Sequence, residues 1–169
     1  METVSLGSLG IEYAHELNAE TSATRKCIER VPESIWDWKP HERSMTMGYL
    51  VALVAEIPKW IAYSIEYKVI DLSTFPHDQA KTTAELVANF DKYIANAQKA
   101  LKGVSNEALL ETFSLQHNGQ VLFSQPQKEN ISSTLNHWVH HRGQLTVYMR
   151  LNDIPVPSIY GPSADDRNF

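Results

Sequence analysis

Four stretches of this chain, each about twenty residues long, return apolar side chains to one face every three or four positions. That period belongs to an α-helix. A chain that repeats it four times must bury four apolar stripes against one another. In the first stretch, from about Ser8 to Arg30, Leu17, Thr24, Ile28 and Val31 share a face, and Pro32 ends the run. The second reads MTMGYLVALVAEIPKWIAYSIEY, with Ser44 as its expected N-cap and Leu50, Leu53, Val54, Ile57, Ile61 and Ile65 as its stripe. Pro58 falls inside that stripe, and because the periodicity resumes beyond it, a kinked rather than a broken helix is expected. The third opens on Thr82 and Glu85, the pattern of a capping box, turns Leu86, Phe90, Tyr93, Ile94, Ala97 and Leu101 inward, and reaches Gly103 as its C′ residue. The fourth runs from about Ile131 to Asn152 on a stripe of Ile131, Leu135, Trp138, Val139, Leu145 and Met149. The expected architecture is all-α, a four-helix bundle forming a single domain over 1–169.

The connections add detail. TFSLQHNGQVLFSQP places Asn118-Gly119 between two short alternating runs, which predicts a small β-hairpin near 113–124 decorating the bundle. PESIWDWKPHERS reads as a loop or short turn that lays two tryptophans over the end of the core, and 71–81 as a polar loop. A short helix is expected around 106–112, and the Pro-rich tail DIPVPSIYGPSADDRNF as coil. A formal charge of −5 and the lack of a basic stripe argue against a nucleic-acid backbone as partner. No apolar run approaches ~20 residues, so no membrane span is expected. The N-terminus carries no secretory pattern, and the single cysteine, Cys27, has no partner for an internal disulfide. These features suit a cytoplasmic protein. Cys27 lies beside Ile28 on the inner face of its helix and is expected to be a buried small hydrophobe rather than a nucleophile.

The chemistry concentrates in NHWVHHRGQL, residues 136–145. Residues four apart on a helix differ by ~40° in direction, so His137 and His141 project side by side, as two imidazoles sharing a metal must. His140 points ~100° away from His141 and is the poorest ligand of the three. Gln144 and Tyr148 continue the His137–His141 face for two further turns and would line a pocket there. Arg142 falls on the side of the apolar stripe, where a structural pairing is expected. Glu20 and Glu56 flank inner stripes. Each reads as a helix-surface acid or as a pocket oxygen. His15, His41, His77 and His117 sit on expected surfaces or loops and carry no assigned role.

Together, SMTMGYLVALVAEIPKW and the distant LNHWVHHRGQLTVYMRLNDIPVPSIYGPSADD resemble the DinB-like proteins, a group of metalloenzymes that includes the YfiT type. The resemblance spans nearly the whole chain. It implies an up-down-down-up four-helix bundle, commonly a homodimer, with a divalent metal, nickel or zinc, on three histidines. Two of these come from an H-x-x-x-H on the last helix, here His137 and His141. The third comes from the second helix in a pattern like GxLxxHxAEIPxW. Here GYLVALVAEIPKW puts Leu53 in the histidine's place. Leu53 has no lone pair to donate, so water, a carboxylate such as Glu20 or Glu56, or a bound ligand would have to complete the sphere.

Two functional expectations follow. In the first, the chain has a degenerate divalent-metal site and is related to metal-dependent transferases of low-molecular-weight thiols, with Gln144 and Tyr148 shaping the pocket. In the second, it is a non-catalytic, metal-free bundle for ligand binding or dimerisation. Nucleic acid and membrane are expected partners in neither.

Overall fold

The computed structural model describes residues 7–77 and 79–167. Its four long helices are α1 (Leu9–Glu29), α2 (Met47–Tyr67), α3 (Thr83–Gly103) and α4 (Gln127–Leu151). Cross-helix contacts give their directions. Tyr13 bonds the Lys128 carbonyl and Thr24 meets Arg142, so α1 and α4 run parallel. Gln98 bonds the Ala14 carbonyl and Asp91 meets Arg25, so α3 runs against α1. Gln127 bonds Ser64 and Tyr148 bonds Met45, so α2 runs against α4. The order is up-down-down-up. The expected stripes meet in one core, with Leu17, Ile28, Leu50, Val54, Ile57, Ile61, Phe90, Leu101, Leu135 and Trp138 essentially inaccessible. Cys27 is among them, and burial pushes its thiol up to about 11. No helix among the described residues is long and apolar enough to cross a membrane.

Several boundaries differ from expectation. Thr46, not Ser44, caps α2, accepting the Tyr49 N–H at 3.2 Å. The tryptophan segment supplies the other acceptors. Trp38 and Trp36 carbonyls take the Met47 and Gly48 N–H groups at 2.8 and 2.9 Å. That approach requires glycine at 48, since a Cβ there would lie 2.8 Å from the Trp36 Cβ. Thr82 caps α3 as expected, but the Glu85 carboxylate reaches back to the Lys81 N–H rather than to that of Thr82. Gly103 is the last residue of α3 rather than a left-handed residue beyond it, and the chain leaves through extended Val104. The expected short helix is a single 3-10 turn over Ala108–Leu110. Helix α4 starts four residues earlier than predicted, because Gln127 is anchored by its N–H to the Glu111 carbonyl and by its amide to Ser64.

Pro58 sits inside α2 and solves its own problem with a neighbour. A proline removes the N–H that would bond the carbonyl four residues back, here that of Val54. The indole N–H of Trp138 on α4 donates to that carbonyl at 2.9 Å in the buried core. The breach in one helix thereby becomes the peg that registers the other. Trp138→Phe should strand a buried carbonyl and lower stability by about 1–3 kcal/mol, read as the urea midpoint. Adding Pro58→Ala returns a donor within the helix and should recover part of that loss. Purely additive losses would refute the coupling.

The hairpin forms as predicted, from β2 (Thr112–His117) and β3 (Gln120–Pro126) around Asn118 and Gly119, both at positive φ. The sequence reading missed a third strand, β1 (Val69–Asp71), which pairs parallel to β2 and makes the order β1-β2-β3. Asp71 ties this strand to the hairpin. Its carboxylate accepts the Gly119 N–H at 2.7 Å, the Asn118 N–H at 3.1 Å and the Ser73 hydroxyl at 2.5 Å. These bonds, that from Ser73 foremost, hold it down to about 2.

Candidate functional site

The Trp138–Val54 bond sets α4 against α2 so that the residue before Trp138 faces the outer rim of their interface. His137 is that residue, half-buried, with its ring 5.5 Å from the indole of Trp60. His141, one turn on, turns its Nε2 to within 2.7 Å of the His137 Nε2. The tautomers follow from a second contact. Gln144 Oε1 lies 2.8 Å from His141 Nδ1 and accepts its proton, which leaves the His141 Nε2 lone pair free. Without a metal, His137 Nε2–H donates to that lone pair; to ligate through Nε2, His137 carries its proton on Nδ1 instead. Burial, together with the nearby charges of His141 and His140, lowers the His137 pKa and favours its neutral form. His140 is exposed.

The pair opens beside a cleft of about 270 Å³ between the hairpin, β1 and the α2–α4 rim. Trp60, Ile70, Phe113, Leu115 and Phe123 form its apolar wall, and His137 stands at its edge. Phe75 packs edge-on against Trp60 at 6.1 Å, and His77 against Phe75 at 5.3 Å. His77, given no role by its sequence position, also binds Glu56 at 2.9 Å.

The model of the DinB family matches residues 1–168. The chain belongs to the DinB family. A DinB-like protein from Bacillus subtilis shares its fold at a TM-score of 0.68 and 20% identity, over 92% of this chain and 99% of that one. A DinB-like protein from Bacillus cereus does so at 0.64 and 19% identity, over 88% and 95%. Among curated proteins none matches.

In this DinB chain, Leu53, Glu56 and Trp60 share one face of α2, at i, i+3 and i+7, and Trp60 of that face meets His137. Leu53 is half-buried there and offers a metal nothing. The two carboxylates named above as its replacements are engaged elsewhere. Glu56 holds His77. Glu20 lies at the α1–α4 interface, 2.5 Å from the buried Arg142 guanidinium, and accepts the Tyr160 hydroxyl. Tyr148 does not extend the pocket face. It is buried beneath Trp38, with ring centroids 5.5 Å apart, and its hydroxyl donates to the Met45 carbonyl. Among the described residues no three His, Cys, Asp or Glu side chains gather as a metal set. The donor set therefore amounts to two oriented imidazoles with Gln144 behind one of them, which fits a cation held partly by non-protein ligands. Trp60, Phe113 and Phe123 escaped sequence reasoning because a cleft wall assembled from a helix, a strand and a hairpin has no spacing of its own.

Proposed function

We propose that His137 and His141 bind a divalent cation, zinc or nickel, through two protein ligands, leaving its other positions to water or to a small molecule entering from the cleft. The observation that carries this reading is the convergence of the two Nε2 atoms at 2.7 Å with His141 held in a ligand-competent tautomer by Gln144. When bound, such a cation acts as a Lewis acid that lowers the pKa of a coordinated water or thiol. The chain's own part is to favour neutral His137, to orient both rings, and to shield His137 on one side with Trp60. A transferase acting on a low-molecular-weight thiol is the reaction class this arrangement serves.

Calorimetric titration with zinc and with nickel at neutral pH should show one equivalent per chain. His137→Ala or His141→Ala should abolish it, and Gln144→Ala should weaken it by about 10-fold. Leu53 and the engaged carboxylates favour a second reading, a metal-free bundle that binds its ligand in the cleft alone. Absence of binding even at millimolar metal would leave only that reading.

A further inference from the structure

The lining of the cleft selects a ligand by itself. Ile70, Leu115, Phe113 and Phe123 give it apolar walls, and among the described residues not one carboxylate, ammonium or guanidinium lines it. A charged molecule would lose its hydration there without a counter-charge, at a cost of several kcal/mol. A neutral one would not. Polar groups are nevertheless present. The Trp60 indole N–H is buried and has no acceptor among the described residues. Asn130, 7% exposed, lines the same cleft. A buried donor without a partner is costly, and an acceptor on a ligand would relieve it. Aromatic side chains from α2, β2 and β3 supply flat surfaces for stacking.

The geometry points to a neutral, flat aromatic molecule of one or two rings, carrying a hydrogen-bonding oxygen or nitrogen, as the ligand of this cleft. Its volume lies near the lower end of small-molecule sites, which sets the ring count. The binding of such a molecule needs no metal. That the bound molecule is presented to a cation at His137 rests on the reading above.

The test uses the full chain freed of metal by chelation, followed by proton–nitrogen correlation NMR, with the Trp60 indole peak assigned through Trp60→Phe. β-Naphthol, neutral at neutral pH, should move that peak saturably with a submillimolar Kd. Naphthalene β-sulfonate, the same rings with an anionic head, should bind at least about 10-fold more weakly. Ser133, exposed on α4 at the cleft, can be used as a plug, and Ser133→Trp should cut β-naphthol affinity at least about 10-fold while the spectrum stays dispersed. If that variant does not fold, Phe123→Ser on the exposed hairpin strand should lower affinity about fivefold by removing one ring surface. No movement of the Trp60 peak, equal affinity for the sulfonate, or unchanged affinity in a folded cleft variant overturns the proposal. Zinc titrated into the same sample separates the two readings. Metal binding without naphthol binding sinks only the cleft ligand, and the converse sinks only the cation site.

Discussion

Arg142→Met should lower the melting temperature by roughly 10 °C. The guanidinium is 2% exposed and every contact it makes is specific. Glu20 lies 2.5 Å away, Thr24 accepts from Nη1 at 3.0 Å, and Tyr160 accepts from Nη2 at 2.8 Å. Tyr160 in turn donates to Glu20, so α1, α4 and the C-terminal tail close on one ion pair. Removing one partner of a buried pair leaves the other charged and poorly solvated, which costs about 3–5 kcal/mol. Replacing both, as Glu20→Leu with Arg142→Met, should recover most of the loss, because an apolar pair of similar volume carries no desolvation penalty. The single variant should also free the tail to proteolysis, since Tyr160 loses its donor. A loss below about 1 kcal/mol in the single variant would show that the pair is solvated and the tail held by its other contacts, such as Arg150 with Asp165.

Leu53→His should raise zinc affinity by about 100-fold. Leu53 shares its face of α2 with Trp60, the residue that meets His137, so an imidazole at 53 is placed on the rim where the pair opens. Structural zinc sites are worth about 10–16 kcal/mol in all, so a third imidazole in reach is worth a few kcal/mol. Competition against a chromogenic chelator measures the gain. The gain should vanish when His141→Ala is added, because the new ring can hold the metal only together with the old ones. A folded Leu53→His variant that binds zinc no more tightly than the parent would mean that position 53 points away from the pair.

The histidine pair was legible because its information is local. Four residues of one helix fix the mutual direction of two side chains whatever the helix packs against. For the same reason, the stripes, the Asn118-Gly119 turn and the Thr82 cap appeared where expected. Arg142 was read as a structural pairing because a cation on an apolar stripe must find a partner, although its spacing names none. The misplaced starts of α2 and α4 share one cause. Trp36 and Trp38 carbonyls at the start of α2, and the Ser64 hydroxyl and Glu111 carbonyl at the start of α4, are acceptors brought from elsewhere in the chain.

What the sequence alone determined is therefore the set of rods, the hairpin that decorates them, and two imidazoles side by side on the last rod, all consequences of short-range periodicity. What only the tertiary structure decided is which groups those imidazoles face. Pro58 frees a carbonyl, Trp138 takes it, and that one contact turns His137 toward Trp60 and the cleft. Meanwhile Glu56 and Glu20 are drawn off to His77 and Arg142, groups brought to them from a loop and from another helix. Such partners are set by packing between distant segments, where burial and unpaired backbone groups choose among arrangements that no spacing along the chain distinguishes.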